Sequence, residues 1–399
     1  MNIVIKPGKL SGTIAAIPSK SQAHRLLICA AFSDLPTELI CPETNRDIEA
    51  TAACLNSLGA VITRTSKGYM VYPAETIPDS AQLECQESGS TLRFLLPIVG
   101  ALGVDAVFHL KGRLPYRPLS PLWEEMERMG CTLSRSTEST IRCTGKLVPG
   151  NYTIAGNVSS QFISGLLFAT SLMEGNSHIT ITGTLESQPY VAMTQLALSQ
   201  FGKISGDCRV AGGRPFHSPR KISVEGDWSN AAFFLAAKAF GSPIAISGLN
   251  SDSPQGDRAA EDLIHQLCHG HLVISAADIP DLVPILSVVA AANHGAVFTH
   301  TERLRLKESD RVAAVISMLS ALGIYAEASE NTLTVFPGRF HGGTVDAVND
   351  HRIAMSAAIA ATVADGPVTI LGANCVEKSY PIFWQEFQKL GGQYEQYIR

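Results

Sequence analysis

Residues 160–173, SQFISGLLFATSLM, followed by residues 175–183, GNSHITITG, carry the pattern that decides the fold. The first stretch opens on small polar residues and is then apolar nearly all round, which predicts a helix buried on every side. The second alternates apolar with polar residues between glycines, which predicts a strand. The pair recurs along the chain. Helices of the same kind are predicted from Ser21 (SQAHRLLICAAF), Ser90 (STLRFLLPIVGAL), Ser229 (SNAAFFLAAKAFG), Asp281 (DLVPILSVVAAANHG) and His351 (HRIAMSAAIAATVADG). The strands that follow them are GVDAVFHLKG, GSPIAISG, GAVFTHT and GPVTILG, with a less regular LPTELICP in the first unit.

Successive helix starts are 69, 70, 69, 52 and 70 residues apart, so one repeat of about 70 residues organises the sequence. A second, amphipathic helix ends each unit near Gly59, Gly130, Gly202, Gly270, Gly323 and Gly391, where glycine suits a left-handed helix end. The short interval has a visible source: 11 residues separate Gly270 from Asp281, against 31 between Gly59 and Ser90. The fourth unit is therefore expected to lack a strand or hairpin.

Six α/β units in 399 residues exceed what one core usually holds, and 45% hydrophobic residues suffice for two. The expectation is an α/β chain of two domains, each of three units with buried helices and outer sheets. One domain is expected at residues 13–222. The other is expected to be discontinuous, residues 1–12 with 223–399, its N-terminal strand completing a C-terminal sheet. The polar stretch RVAGGRPFHSPRK, residues 209–221, is the expected crossover.

A net charge of −5 with 17% charged residues offers no broad basic field for nucleic acid or anionic membranes. The start, MNIVIKPGKLSGTI, reads as a strand rather than a signal segment. Nine cysteines without a C-x-x-C pair read as reduced thiols. A cytoplasmic protein, neither on nor in a membrane, is expected.

The polar residues hardest to explain by packing gather at the helix starts. A helix N-terminus offers unpaired N–H groups and about half a positive charge. Several converging on one cleft would form an anion trap, strengthened by Lys and Arg. PSKSQAHR places Lys20 and Ser21 at the cap and Arg25 a turn along. ESGSTLRF offers Gly89 for close backbone approach, Ser90 as cap, and Arg93 within an apolar helix. LPYRPLSPL holds Arg117, GNVSSQF offers Ser159, Ser160 and Gln161, and ESQPYV offers Ser187 and Tyr190. In the C-terminal half, Asp281 stands at a helix start, with Lys307, Glu308 and Arg311 in LRLKESDR, His351 and Arg352 in NDHR, and Lys378 in VEKSYP. For each position alone, a cap or a solvated charge is a sufficient reading; their recurrence at equivalent places in the units favours binding.

Taken in order, SKSQAHR, ESGSTLRF, LPYRPL, GNVSSQF, SQPY, IPD, LKESDR, NDHR and EKSYP resemble the motifs of the 5-enolpyruvylshikimate-3-phosphate synthases, from residue 19 to 381. The resemblance implies two domains of three βαβαββ units, an inside-out α/β barrel in each; domain closure on the substrates is expected because residues assigned to one substrate come from both halves. It implies that the 5-hydroxyl of shikimate 3-phosphate attacks C2 of phosphoenolpyruvate and that the tetrahedral intermediate expels phosphate, in the aromatic amino acid pathway. By the same resemblance, Ser159, Ser160 and Ser187 hold the shikimate phosphate, with Arg303 near it. Lys20, Ser21, Arg25, Gln161, Tyr190, Asp281 and Lys307 also bind that substrate. Lys20, Gly89, Arg117, Gln161, Arg311, His351, Arg352 and Lys378 surround phosphoenolpyruvate. Asp281, Glu308 and Lys20 are the implied catalytic groups, without metal or cofactor, in a monomer. Three features depart from the family pattern: Glu87-Ser88-Gly89-Ser90 stands where members often carry Asn-Ala-Gly-Thr, Arg303 stands where some members have Asn, and the shortened fourth unit lies immediately before Asp281.

Three rival readings have features to discriminate them. The UDP-N-acetylglucosamine enolpyruvyl transferases typically have Lys-Asn in the first motif and often a loop cysteine; here Ser21 follows Lys20, and GRLPYRPLS has no Cys. A zinc protein would use His265, Cys268, His269 and His271 in HQLCHGH, a segment that equally suits a helix C-terminus. A non-catalytic binder of phosphorylated ligands would have no use for Asp281 and Glu308 as a pair.

Overall fold

The computed structural model describes residues 1–203, 206–213 and 216–397. Among the described residues the strands form six sheets, one for each sequence unit. In the second unit, strand Ser80–Gln86 lies parallel to Asp105–Leu110, with helix Gly89–Leu102 joining them. Such a pair needs a crossover, which the buried helix supplies. A hairpin follows: Thr140–Gly145 pairs antiparallel with Asp105–Leu110, and Cys131–Thr137 with Thr140–Gly145. Alternate residues of Ser80–Gln86 are buried, so one face of this sheet rests on the core and the other meets solvent.

The chain divides into two compact units, residues 18–225 and residues 1–17 with 226–399. Each has its own hydrophobic core. The expected boundary at 12/13 falls inside strand Gly12–Ala15, which pairs parallel with Ile244–Ser247 and so stays with the C-terminal residues. The stretch 209–221 is likewise not the crossover. Arg209–Val210 pairs with Ser177–Thr182, and Lys221–Ser223 with Thr37–Ile40, keeping both ends in unit 18–225. Residues 214 and 215 of that stretch lie outside the described residues.

Borrowed strands complete three sheets. Lys221–Ser223 takes the leading place in the first unit's sheet, and Gly12–Ala15 takes it in the fourth. Asn2–Lys6 enters the sixth sheet between Val368–Leu371 and Gln393–Tyr397. The fourth sheet has two strands among the described residues, where the short interval predicted a loss.

The predicted buried helices are Lys20–Ala31, Gly89–Leu102, Ser160–Leu172, Trp228–Ala239, Val283–Ala292 and His351–Ala361. All eleven residues of His351–Ala361 are buried. Gly165 lets two of these helices approach closely: a methyl there would stand 2.3 Å from the Arg93 carbonyl. The second helices end at glycines with positive φ at Gly59, Gly130, Gly202, Gly323 and Gly391. Gly270 is the exception. Its N–H simply continues the helical pattern to the Gln266 carbonyl at 3.1 Å, so no left-handed turn is needed. No helix among the described residues is long and apolar enough to cross a membrane.

Candidate active site

Ser19, not Ser21, holds the N-cap position of helix Lys20–Ala31, because the chain is extended at Ser19 and helical from Lys20, although its side chain makes no capping hydrogen bond. Lys20 thus puts a cation at a helix N-terminus, against the helix dipole. Asp47, in the first turn of helix Arg46–Ser57, offsets this by accepting from Lys20 Nζ at 3.0 Å.

Arg25 is buried, and none of its partners among the described residues is a carboxylate. Its Nε donates to Thr194 Oγ1 at 2.8 Å, Nη1 to the Ser21 carbonyl at 2.5 Å and Nη2 to the Tyr190 carbonyl at 2.9 Å. The guanidinium stands 5.0 Å from the Phe94 ring centre. Burial pulls its pKa down to about 10, which leaves it charged at neutral pH. A buried cation held only by neutral oxygens suits an anionic ligand, since burying charge without a counter-charge is costly.

A second group surrounds the next helix start. Ser88 rather than Ser90 is the cap, its hydroxyl accepting from Thr91 N at 3.2 Å. Ser90 is thereby released to accept from Gln161 Nε2 at 2.9 Å. Gln161 Oε1 accepts from Arg93 Nη1 at 2.8 Å, and Arg93 Nη2 reaches the Pro118 carbonyl at 3.0 Å. The Arg117 guanidinium lies against Gly89, where a methyl would come within 2.7 Å of Nη1. Gly89, Arg117 and Gln161 are thus neighbours of one polar group.

Ser159 caps helix Ser160–Leu172 by accepting from Gln161 N at 3.3 Å, and Ser160 is buried in the first turn. Ser187 precedes helix Gln188–Gln200 in a left-handed conformation, φ 58° and ψ 38°. A non-glycine residue held there carries backbone strain of the kind that gathers at binding sites.

In the other unit, Asp281 is not a helix cap. Helix Val283–Ala292 begins two residues later, and two guanidiniums hold the carboxylate instead. Arg311 Nη1 donates to Asp281 Oδ1 at 2.6 Å and Arg352 Nη2 to Oδ2 at 2.9 Å. Burial opposes ionisation of Asp281, but Arg352, Arg311 and Lys307 outweigh it and hold the carboxyl well below the usual range. Arg311 also donates through Nη2 to Glu308 Oε2 at 2.5 Å and through Nε to Asp350 Oδ2 at 3.0 Å. Burial alone would favour loss of the Arg311 proton; the three carboxylates reverse this and push its pKa up.

Lys307 follows the short helix Glu302–Leu306, which contains Arg303. Burial, with Arg303 and Arg311 adding repulsion against the pull of Asp281 and Glu308, brings the Lys307 ammonium down to about 7. His351 and Arg352 open helix His351–Ala361 and are both buried. Lys378 donates to the Asn349 carbonyl at 2.9 Å.

The sequence-predicted residues therefore form two sets, one on each unit. Their supporting partners Asp47, Thr194, Ser229 and Asp350 were not singled out. Asp350 could have been, since Asp directly before a predicted helix is a common cap, and it accepts from Arg352 N at 3.0 Å. In the HQLCHGH segment, His265 and His269 stack at 4.5 Å, while His271 Nδ1 lies 3.2 Å from the His294 carbonyl. No group of three or more His, Cys, Asp or Glu among the described residues is placed to hold a metal.

The family model of EPSP synthase (3-phosphoshikimate 1-carboxyvinyltransferase) matches residues 4–273 and 271–387. The chain belongs to this family. A 3-phosphoshikimate 1-carboxyvinyltransferase of Clostridium kluyveri is 36% identical, covering 99% of this chain and 98% of that protein. One from Clostridium acetobutylicum is 38% identical, with 98% of each covered. An EPSP synthase structure from Acinetobacter baumannii shares the fold with a TM-score of 0.80 at 22% identity, covering 99% of this chain and all of that one. The enolpyruvyl transferase NikO of Streptomyces tendae superposes with a TM-score of 0.75 at 17% identity, over 99% and 98% of the two chains. Membership accounts for the α/β repeat and the two-domain enolpyruvyl transferase fold.

Proposed function

We propose that this chain is a 3-phosphoshikimate 1-carboxyvinyltransferase, moving the enolpyruvyl group of phosphoenolpyruvate onto the 5-hydroxyl of shikimate 3-phosphate and releasing phosphate. The observation that carries this reading is the match to enzymes of that name along nearly the whole of both chains. The buried cations support it, because both substrates are anions.

In this reading Ser159, Ser160 and Ser187 hold the shikimate phosphate with Gln161 and Arg303, while Ser21, Arg25, Tyr190 and Lys307 hold the ring and its carboxylate. Lys20, Gly89, Arg117, Gln161, Arg311, His351, Arg352 and Lys378 hold phosphoenolpyruvate. The 5-hydroxyl oxygen bonds to C2 as Asp281, assisted by Lys20, takes its proton. Glu308 gives a proton to C3, making a methyl group. Return of a C3 proton to Glu308 then breaks the C2–O bond to phosphate, which leaves with the proton that Asp281 took, and the basic side chains stabilise the departing charge.

Asp281 paired to two guanidiniums is a weak base. An anionic donor bound to Arg311 and Arg352 would draw off part of their field and raise the proton affinity of Asp281. Substrate binding would thereby activate the base.

The test is phosphate release from phosphoenolpyruvate with each acceptor in turn. Release with shikimate 3-phosphate and none with UDP-N-acetylglucosamine is expected. Release with the nucleotide sugar alone would reject the reading, and release with neither would favour a binding protein.

A further inference from the structure

The Ser229 hydroxyl joins Arg352 to a carboxyl that the reaction scheme above does not use. Arg352 Nη1 donates to Ser229 Oγ at 2.6 Å. A hydroxyl receiving an N–H has one proton of its own to give. Its partner for that proton is Asp257. This carboxyl, on the short helix Gly256–Ala259, is only 4% exposed. The charged groups that act on it are Asp281, Arg352 from the start of helix His351–Ala361, and Asp227, which caps helix Trp228–Ala239. Two carboxyl groups therefore attend one guanidinium, the half-buried Asp281 directly at 2.9 Å and the buried Asp257 through Ser229.

The Arg352 side chain needs such guidance. Its Nη1 is shared between Ser229 and the Asp281 carbonyl at 3.0 Å, and its buried Nε has no partner among the described residues. Ser229 thus holds Nη1, while the Asp281 carboxylate holds Nη2. We infer that Asp257 is a positioning residue for the donor-binding cation: through the Ser229 hydroxyl it orients Arg352, and by gaining or losing a proton it sets how much positive charge Arg352 can spend on an anionic substrate. This rests on the reading that Arg352 serves phosphoenolpyruvate.

Asp257 is placed to change charge in the neutral range. Burial first, then the Asp281 charge, push its pKa up to about 7 against the opposing pull of Arg352 and the Ser229 bond. Below that pH Asp257 is neutral and Arg352 faces one counter-charge. Above it a second negative charge appears, and the grip on an anion weakens. KM for phosphoenolpyruvate in the wild type should then rise as pH passes through about 7.

The experiment measures kcat and KM for phosphoenolpyruvate from pH 5.5 to 8.5 in the wild type, Asp257→Asn, Ser229→Ala and Arg352→Lys. Asp257→Asn retains shape and an acceptor oxygen but cannot ionise. The ratio of its KM to that of the wild type should fall severalfold between the acid and alkaline ends, cancelling any titration of the substrate itself. A ratio constant across pH would overturn the proposal, because a merely structural defect has no reason to follow that titration. Should Asp257→Asn fail to fold, Ser229→Ala tests the same link. A raised KM for phosphoenolpyruvate with a much smaller change in kcat supports it, and an unaltered KM overturns it. Arg352→Lys separates the two readings: a KM unchanged in that variant would reject Arg352 as a donor-binding group and the proposal with it, whereas a raised KM beside a pH-independent Asp257→Asn ratio would reject only the role of Asp257.

Discussion

Arg311 Nε and Asp350 Oδ2 form a 3.0 Å ion pair in which the side chains are 1% and 0% exposed. Asp350 anchors the guanidinium from behind, leaving Nη1 and Nη2 for Asp281 and Glu308. It also accepts from Ser309 Oγ at 2.9 Å and caps the helix that carries Arg352. Removing one partner of a buried pair costs about 3–5 kcal/mol where it leaves the other charge uncompensated. Arg311 keeps Asp281 and Glu308, so Asp350→Ala should lose less than that in urea denaturation, yet clearly more than Glu395→Ala, whose pair with Lys6 is exposed.

Gly89 and Arg117 predict an effect on donor binding. An added methyl would lie 2.7 Å from Arg117 Nη1, so Gly89→Ala must displace the guanidinium. KM for phosphoenolpyruvate is expected to rise about tenfold, the equivalent of about 1.4 kcal/mol. Binding of shikimate 3-phosphate, measured by calorimetry without donor, should change little.

Lys307 predicts a pH effect on stability. Its folded-state pKa is about 7, against 10.5 for the ordinary side chain. Between those values the unfolded chain holds a proton that the folded chain has released, so this group makes stability rise with pH. Below about 7 its penalty is complete. Lys307→Gln should therefore melt about 2 °C or more above the wild type at pH 6, with the gap closing toward pH 10.

Asp281 and Glu308 share Arg311 but are assigned different protons. Asp281→Asn and Glu308→Gln should each slow turnover by at least about a hundredfold, the usual contribution of a positioned acid or base. Shikimate 3-phosphate binding should remain measurable in both. Normal phosphate release in either variant would reject that residue's assignment.

Much of the fold was legible because burial writes itself into the sequence. Helix Ser160–Leu172 begins at the residue that its apolar run predicts, and Asn2–Lys6 joins a C-terminal sheet as its alternation suggested. Helix starts expected at Ser21, Ser90, Ser229 and Asp281 lie one or two residues from the observed ones. Backbone conformation decides which polar residue becomes the cap, and Ser19 and Ser88 are the extended ones. The partners of the charges were the harder part. Asp47 lies 27 residues from Lys20, and Asp350 lies 39 from Arg311. Motif spacing does not report such tertiary pairs. Gly270 misled for a local reason, since a helix can end there without a left-handed residue.

The most direct test of the account is to run the reaction in D2O with phosphoenolpyruvate and shikimate 3-phosphate and examine the vinyl carbon of the product by mass spectrometry. Addition followed by elimination makes C3 a methyl group for part of each turnover, so deuterium should enter the vinyl group of the product. Product formed at the normal rate with no deuterium at that carbon would mean that C3 is never protonated, contradicting both the tetrahedral route and the role given to Glu308.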